Sequence, residues 1–302
     1  LLKIKKELKK VVIGQDKVIE SLLKALLSNG HVLVEGLPGV AKTLMIKALG
    51  RVIGASVDRV QFTVDLLPTD IVGITIYDEK LKKYNFIKGP VFTNFLIADE
   101  INRASPKVQS ALLEAMQENQ VTLFKKTFPL PRPFFVMANN NPIESSGIYP
   151  LPEAQIDRFL FKLLLPYPTK DEEKEIIEKN VTLRELDDYN LRSVVSPKII
   201  LKMQKETKEV KHTDKIKEYI LDIVGSTRSP EKFDTKLTKY ILWGSSPRAG
   251  ISLFIAGKAD AISKGKNFVT PQNIKNVAHD VLRHRIILNY RGQAENIKTD
   301  DI

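Results

Sequence analysis

The sequence predicts an α/β domain with a five-stranded parallel sheet, followed by a smaller domain made only of helices. Up to about residue 166, five short apolar runs alternate with amphipathic stretches. Several runs are apolar at successive residues, which is typical of strands that helices cover on both faces of a parallel sheet. From about residue 169 onward, only helical patterns follow.

The candidate strands are short and rich in β-branched or apolar residues. They are HVLVE (31–35), VQFTV (60–64), FLIAD (95–99), FFVMA (134–138) and FLFKLLL (159–165). The stretches between them predict helices, among them DKVIESLLKALLSN, AKTLMIKALGRVIG and SPKVQSALLEAMQEN. The last of these begins with Ser105 and Pro106, a pair suited to the N-cap and the first helical position.

A domain boundary is predicted after Pro168. The segment LLPYPTKDEEKE combines prolines with a charge-rich restart, which is typical of a junction. We therefore expect an α/β domain over 1–168 and a helical domain over 169–302. The helical patterns of the second domain include SPKIILKMQKETKEV, TDKIKEYILDIVGSTR, PRAGISLFIAGKADAISKG and TPQNIKNVAHDVLRHRII.

The composition is that of a soluble globular protein, and we expect it in the cytoplasm. The 302 residues are 43% hydrophobic and 27% charged, which suits about two domains with buried cores. No apolar run approaches the roughly 18 residues of a membrane-spanning helix, and LLKIKKELKK lacks the pattern of a signal peptide. The sequence has no cysteine, which excludes disulfides and thiolate metal sites and agrees with a reducing compartment.

The formal net charge of +11 would attract nucleic acid or an anionic membrane at long range. Much of the excess is lysine, spread over segments with helical patterns, and clustered arginine interleaved with aromatic residues is not seen. A solvated, lysine-rich surface is therefore favoured over a nucleic-acid-binding surface.

A phosphate-binding loop is predicted in VLVEGLPGVAKTLMIK (32–47), after an apolar strand and before a helix. Glycines at 36 and 39 let backbone N–H groups turn inward, Lys42 can reach the β and γ phosphates, and Thr43 can ligate Mg²⁺. The alternative is a Gly-Pro turn that only joins strand to helix. Ala41 replaces the usual last glycine, and we expect a residue with helical backbone angles there. The predicted nucleotide-binding residues of the loop are Gly36, Pro38, Gly39, Val40, Ala41, Lys42, Thr43 and Leu44.

A pair of acids follows the third candidate strand, in NFLIADEINRA. Asp99 and Glu100 stand at the carboxyl end of the strand, the edge where ligands bind in open parallel sheets. Asp99 would hold the water shell of Mg²⁺, and Glu100 would orient and polarise the attacking water. Such strands also end in charged turns, but the phosphate loop about sixty residues earlier favours a hydrolytic site.

Three asparagines and a proline follow the fourth candidate strand, in FFVMANNNPIES. An asparagine here can hold a lytic water or contact the γ phosphate through its amide. Asn-Pro is also common in turns, and the local sequence favours neither interpretation.

The sequence resembles the MoxR family of AAA+ ATPases from about residue 11 to 290. The segments that carry the resemblance are VIGQDKVI, EGLPGVAKT, LLPTDIVG, GPVFTNFLIADEINRASPKVQSALLEAMQENQVT, NPIESSGIYPLPEAQIDRF and GSSPRAGISL. The resemblance implies an AAA+ P-loop NTPase core with an all-α lid, and ATP and Mg²⁺ as cofactors.

Residue roles implied by the resemblance follow its motifs. Walker A matches Gly36, Gly39, Lys42 and Thr43, Walker B matches Asp99 and Glu100, and sensor 1 matches Asn141, or Asn140 if the register slips. Arg158 matches the arginine finger that enters a neighbouring subunit's site, and Arg248 matches sensor 2 on the lid. For either arginine the alternative is a surface salt bridge. Val12, Ile13, Gly14 and Gln15 match a segment that packs against adenine; a hydrophobic start to a helix is the alternative, and the two are compatible. Arg103 is a candidate second contact to a neighbour.

The sequence departs from the family pattern in two places. Members commonly have Thr-Gln-Asn where this chain has Asn139, Asn140 and Asn141. The segment 121–134 resembles a hairpin inserted before sensor 1, but it carries Lys125, Lys126 and Arg132 where acidic residues are frequent. A basic hairpin would favour acidic partners.

The function implied by the resemblance is that of a hexameric ring that hydrolyses ATP and remodels or matures other proteins. In this family the client proteins often have von Willebrand factor A domains or metal cofactors. Two alternatives remain, a nucleic-acid motor and a nucleotide-gated assembly factor without turnover. The four histidines include no pair at the i, i+4 spacing of common zinc sites, and His31 is expected to be structural.

Overall fold

A computed structural model of the protein describes residues 1–36, 41–79, 82–123, 126–140, 149–179, 186–229, 231 and 238–302. The chain forms two compact units, each assembled from separate segments. The first unit comprises Leu1–Glu20, His31–Pro152 and Leu163–Leu201, and the second comprises Ser21–Gly30, Glu153–Lys162 and Lys202–Ile302. The single boundary after Pro168 stays a prediction.

The largest sheet has five strands, as the sequence predicts. The strands of the described residues are, in chain order, β1 (Val32–Gly36), β2 (Val57–Gln61), β3 (Gly73–Asp78), β4 (Lys83–Lys88), β5 (Phe95–Asp99), β6 (Gln120–Leu123), β7 (Lys126–Pro129), β8 (Phe135–Asn140), β9 (Phe161–Leu165), β10 (Ile241–Trp243) and β11 (Ile287–Leu288). The sheet order is β2-β5-β8-β1-β9, and β2, β5, β8 and β1 are parallel neighbours. All residues of β5 are buried, as its unbroken apolar pattern predicts.

The predicted strand at 60–64 is misplaced, since β2 begins three residues earlier and ends at Gln61. Its register with β5 runs from Val57 opposite Phe95 to Gln61 opposite Asp99. Phe62 lies beyond the strand, but it is fully buried and its N–H donates to the carbonyl oxygen of Asp99 at 2.8 Å. The apolar pattern therefore continues past the strand because the next residue also belongs to the core.

The helices begin close to the capping signals in the sequence. They are α1 (Leu2–Leu8), α2 (Asp16–Leu27), α3 (Lys42–Ile53), α4 (Pro68–Val72), α5 (Pro106–Glu118), α6 (Glu153–Ile156), α7 (Lys170–Lys179), α8 (Pro197–Glu209), α9 (Asp214–Arg228), α10 (Pro247–Ser263), α11 (Pro271–Leu282) and α12 (Tyr290–Ala294). Helix α5 has Ser105 at its N-cap and Pro106 at its first position, as predicted. Among the described residues, no helix is both long enough and apolar enough to cross a membrane.

Two antiparallel hairpins extend the first unit. The β3–β4 hairpin was not predicted, whereas β6–β7 lies in the segment that resembles an inserted hairpin. Phe86 of β4 stacks on Phe128 of β7, with ring centroids 4.3 Å apart. Lys126 and Arg132 are exposed, and Lys125 lies outside the described residues. The basic character of the second hairpin is therefore present on its described surface.

The second unit is mainly helical. Small buried residues of α10, among them Ala249, Ala256 and Ala259, allow close packing. A Cβ atom added at Gly257 would lie 2.4 Å from Cδ1 of Ile274 in α11, so a larger residue there would displace the end of that side chain. The described residues depart from the expected all-helical pattern in the short antiparallel pair β10–β11 and in an isolated parallel bridge between Lys211 and Phe268.

Candidate functional site

The predicted chemical residues of the first unit meet at one edge of the large sheet. Strand β8 lies between β5 and β1, so Gly36, Asn140 and Asp99 stand at the carboxyl ends of three adjacent strands. The register confirms this, with Ala98 opposite Ala138 and Glu35 opposite Asn140. Ligands of open parallel sheets bind at this edge.

The described part of the phosphate loop consists of Gly36 and the start of α3 at Lys42. Nζ of Lys42 donates to the carbonyl oxygen of Gly36 at 2.7 Å. A Cβ atom at Gly36 would lie 2.9 Å from Cβ of Leu165, so glycine is required by close packing. Pro38, Gly39 and Val40 lie outside the described residues, and their contacts with a nucleotide stay predictions.

Ala41 does not have the backbone angles expected from the sequence. Its φ of 59° and ψ of 24° lie in the left-handed region, where the side chain crowds the following carbonyl. Glycine, the usual residue at this position of such loops, adopts these angles without strain. The interpretation of Ala41 as an ordinary helical residue is therefore wrong, and the loop keeps the glycine-like conformation with an alanine in it.

Lys42, Asp99 and Glu100 interact electrostatically. Burial lowers the pKa of the Lys42 ammonium, and the negative charges of Asp99 and Glu100 oppose that shift. A half-buried cation near two acids can take a phosphate together with its metal ion, because the lysine suits phosphate oxygens and the carboxylates suit the metal and water. The predicted phosphate-binding lysine and the two acids thus form one group.

Both oxygens of Asp99 accept hydrogen bonds. The carboxylate is almost fully buried and contacts Nε of Arg59, from the adjacent strand β2, and Nδ2 of Asn139, from β8. Arg59 is half-exposed and also donates to Oε1 of Gln61 at 2.9 Å. Neither Arg59 nor its contact with Asp99 was predicted from the sequence. The one sequence feature that could have indicated Arg59 is its charge, directly before the candidate strand at 60–64.

Glu100 is held from two sides. Its N–H donates to Oδ1 of Asn139 at 2.7 Å, and its Oε2 accepts from Arg103 at 2.9 Å. Its φ of 57° is unusual for glutamate, and such strain is common where a side chain must be aimed at a ligand. Arg103, a candidate contact to a neighbour, contacts the acid of its own chain here.

Asn139 joins the two acids, a role that the sequence did not predict. Sensor 1 was assigned to Asn141, which lies outside the described residues, with Asn140 as the alternative. Oδ1 of Asn140 is buried and has no hydrogen-bond partner in the described part of the chain. A buried acceptor at the strand end is compatible with a donor supplied by a ligand or water.

Gly14 and Gln15 lie in a tight turn of the first unit. Gly14 has a φ of 73°, and a Cβ atom there would lie 2.5 Å from the carboxyl carbon of Glu172. Gln15 is buried and its Nε2 donates to the carbonyl oxygen of Pro166 at 3.2 Å. These contacts give both residues a structural role, and the predicted adenine contact stays a prediction.

The two predicted arginines belong to the second unit. Arg158 follows α6, and its Nε is buried without a hydrogen-bond partner among the residues described. Arg248 is the second residue of α10, and its NH1 lies 3.5 Å from Oδ2 of Asp157. Asp157 therefore stands directly before one predicted arginine and contacts the other.

The described donors of the first unit fit a nucleotide phosphate with Mg²⁺. Lys42 supplies a cation, Thr43 a half-buried hydroxyl and Asp99 a carboxylate. Hydroxyl and carboxylate oxygens are the ligands that Mg²⁺ prefers, directly or through water. Thr43 and Asp99 are therefore the residues that would hold the metal.

Family models match both parts of the chain. Residues 31–161 match the ATPase family associated with various cellular activities (AAA), and residues 235–302 match the AAA lid domain. Chaperone MoxR1 from Mycobacterium tuberculosis is 45% identical, over 97% of this chain and 77% of its own length. Protein MoxR from Paracoccus denitrificans is 30% identical, over 92% of this chain and 86% of its own length.

A solved structure agrees with these relatives. A crystal structure of a candidate ATPase from Cytophaga hutchinsonii is 43% identical and superposes with a TM-score of 0.91, over 99% of this chain and 91% of that chain. The match to the AAA core precedes the match to the lid domain, as the sequence predicts, and the relative MoxR1 aligns with 97% of this chain. The chain belongs to the MoxR family of AAA+ ATPases and is an ATPase.

Proposed function

We propose that the protein is a homo-oligomeric ring, of six subunits as the family implies, that uses ATP hydrolysis to remodel or mature partner proteins. The observation that carries the catalytic part is the meeting of Lys42, Asp99 and Glu100 at one sheet edge. The positively charged lysine suits phosphate oxygens, and the paired acids suit metal and water. The remodelling part rests on the relatives, one of which is named a chaperone.

The roles of the residues follow from their contacts. Lys42 donates a hydrogen bond to the carbonyl oxygen of Gly36 in this structure. When ATP binds, its ammonium would move to the β and γ phosphates. Thr43 and Asp99 would hold Mg²⁺, which when bound neutralises negative charge on the phosphates. Arg59 would have to share or release the Asp99 carboxylate when the metal binds.

Glu100 would orient and polarise the attacking water. Its backbone N–H is fixed by Asn139 and one carboxylate oxygen by Arg103, so the side chain is aimed before substrate binds. Asn141 would contact the γ phosphate or the lytic water, in the role of sensor 1. These assignments agree with a hydrolytic site better than with binding alone, because an aimed carboxylate is of no use to a site that only holds ATP.

The arginines of the second unit would act on two different nucleotides. Arg158 would reach the site of a neighbouring subunit, and Arg248 would contact the nucleotide of its own subunit. Support comes from Nε of Arg158, which has no hydrogen-bond partner in the described ranges, and from the side chain of Arg248, which is half-exposed and makes only a long contact with Asp157. A guanidinium offers a planar, permanently charged fork to phosphate oxygens, which suits both positions.

The proposed partners are proteins, among them ones with von Willebrand factor A domains. The exposed basic residues Lys126 and Arg132 of the β6–β7 hairpin segment would favour acidic surfaces on such partners.

The decisive experiment uses Glu100→Gln, which keeps the size of the side chain and removes its charge. We expect ATP binding to survive, turnover to fall at least about 100-fold, and partner proteins to be retained on the ATP-bound ring. Glu114→Gln, an exposed position of α5, is the matched control and should keep normal turnover. Lys42→Ala should abolish both nucleotide binding and partner capture.

The catalytic role of Glu100, the choice of proteins as partners and the need for turnover would each be contradicted by a different result. Normal turnover by Glu100→Gln would overturn the catalytic assignment. Turnover that rises strongly with DNA and collapses at higher salt, without capture of proteins, would instead indicate a nucleic-acid motor. ATP-dependent capture by a wild-type protein that never hydrolyses ATP would indicate a nucleotide-gated assembly factor.

A further inference from the structure

Asp157 is the centre of a hydrogen-bonded cluster in the second unit. Its Oδ1 accepts from Nε of Arg285 at 2.7 Å, and its Oδ2 accepts from the hydroxyl of Ser246 at 2.9 Å. The same Oδ2 lies 3.5 Å from NH1 of Arg248. One carboxylate therefore contacts three side chains from two distant parts of the sequence.

Arg285 holds one side of this carboxylate through buried contacts. Its side chain is 2% exposed, and a buried guanidinium without a counter-charge is strongly unfavourable. NH2 donates to the carbonyl oxygens of Asp157 at 3.0 Å and Phe159 at 2.7 Å, and NH1 donates to that of Leu160 at 3.2 Å. Arg285 thus fixes the backbone on both sides of Arg158.

The other side of the carboxylate reaches the helix that carries Arg248. Ser246 is the N-cap of α10, where its hydroxyl accepts from the N–H of Arg248 at 3.2 Å while donating to Asp157. The Arg248 side chain is 49% exposed and its contact with Asp157 is long. An exposed contact of this length is weak and exchanges readily, unlike the buried bonds of Arg285.

We infer that Asp157 is a positioning residue that couples Arg158 to Arg248. The inference rests on the roles proposed above for these two arginines. When Arg248 moves to a phosphate, Oδ2 of Asp157 loses this contact and keeps the hydrogen bond from Ser246. The contacts of Asp157, which directly precedes Arg158, therefore change. The occupancy of a subunit's own nucleotide site would in this way adjust the arginine that it offers to its neighbour.

The test is a set of double-mutant cycles on kcat and KM for ATP. Asp157→Asn keeps the shape of the side chain and removes its charge. We expect kcat to fall by about 10-fold with KM changed by less than about 3-fold. In the Arg248→Ala background, the same change should lower kcat by less than about 3-fold, because the route through Arg248 is already lost.

A purely structural role gives a different result. If Asp157→Asn lowers kcat by the same factor with and without Arg248, the coupling is absent and the inference is overturned. Should Asp157→Asn fail to fold because Arg285 loses its counter-charge, Ser246→Ala replaces it in the same cycle, with the same two outcomes. Thermal unfolding identifies which variant to use.

The single variants separate this inference from the proposed function. If neither Arg158→Ala nor Arg248→Ala changes turnover, the proposed roles of the arginines fail, and the inference fails with them. If both variants lose turnover but the cycles are additive, the proposed function stands and only the coupling through Asp157 is refuted.

Discussion

Arg59 donates a hydrogen bond from Nε to the carboxylate of Asp99, the acid that ends the neighbouring strand. The guanidinium thus neutralises the residue proposed to hold the water shell of Mg²⁺. A cation on the protein and a cation from solution compete for the same carboxylate. We therefore predict that the affinity for Mg²⁺ depends on a side chain outside the recognised motifs.

Replacing Arg59 by methionine is expected to raise the affinity for Mg²⁺ by about 3- to 10-fold, because the competing positive charge is removed. The measurement is a calorimetric titration of Mg²⁺ into protein saturated with a non-hydrolysable ATP analogue. Arg291→Met serves as control, since Arg291 is an exposed residue paired with Glu295. An affinity for Mg²⁺ that stays constant or falls in Arg59→Met would contradict competition.

Mixed rings test whether Arg158 acts on a neighbour. Arg158→Ala and Glu100→Gln should each lack turnover, but a 1:1 mixture should recover about a quarter of the wild-type rate, since about a quarter of interfaces combine both intact residues. The control mixture of Lys42→Ala with Glu100→Gln should recover nothing, because its intact acids lie in sites that cannot bind ATP. Native mass spectrometry confirms that rings contain both variants. Inactive rings of the first mixture would argue against a finger that acts in trans.

The left-handed backbone angles of Ala41 lead us to expect that glycine at this position stabilises the protein. Ala41→Gly should relieve about 1–2 kcal/mol of strain and lose about 0.4–1 kcal/mol through the more flexible unfolded chain, a net gain of roughly 0.5–1 kcal/mol. Urea unfolding measures the difference. Ala111→Gly, within α5, should instead lose about 1 kcal/mol. A loss of stability in Ala41→Gly would show that the left-handed angles carry no strain.

Because His31 is buried, we expect the free energy of unfolding to decrease in acid. The imidazole is buried, its Nδ1 accepts from the N–H of Val136, and its Nε2 lies 3.0 Å from the carbonyl oxygen of Met116. Burial lowers its pKa from 6.5 to about 4. The unfolded chain therefore binds a proton that the folded chain does not, and the stability present above pH 6.5 is lost as the pH falls toward 4.

The predicted loss from His31 is about 2 kcal/mol between pH 7 and pH 5. His31→Gln, whose amide can also accept and donate, should be less stable than wild type at pH 7 and should lose less stability on acidification. Chemical unfolding at both pH values measures this, with the exposed His279→Gln as control. Equal acid-induced losses in wild type and His31→Gln would exclude His31 as their source.

The centre of the sheet could be predicted from the sequence because β1, β5 and β8 contain apolar runs, whereas β2, which carries charged and exposed residues, was placed three residues too late. The β3–β4 hairpin could not be predicted, because Ile74, Ile76 and Ile87 are about half exposed and give no contrast between a buried and a solvent face. The short β10–β11 pair was hidden for another reason. Its strands are two and three residues long, which is below the length at which a period of two can be recognised.

The site was predictable where a motif is contiguous and unpredictable where it depends on strand order. Lys42, Asp99 and Glu100 each belong to a short segment with its own pattern. Arg59 and Asn139 reach Asp99 only because β5 lies between β2 and β8, and no local pattern encodes that order. The same holds for Arg285 and Asp157, whose contact joins residues 128 positions apart.

The two contacts of Asn139 also explain why this chain can depart from the usual Thr-Gln-Asn. The side chain at this position must donate a hydrogen bond to the carboxylate of Asp99 and accept one from the N–H of Glu100. A threonine hydroxyl can do both, as an asparagine amide does, whereas alanine can do neither and an ionised aspartate can only accept. Residue 139 therefore needs a side chain that can both donate and accept a hydrogen bond, and more than one amino acid meets this requirement.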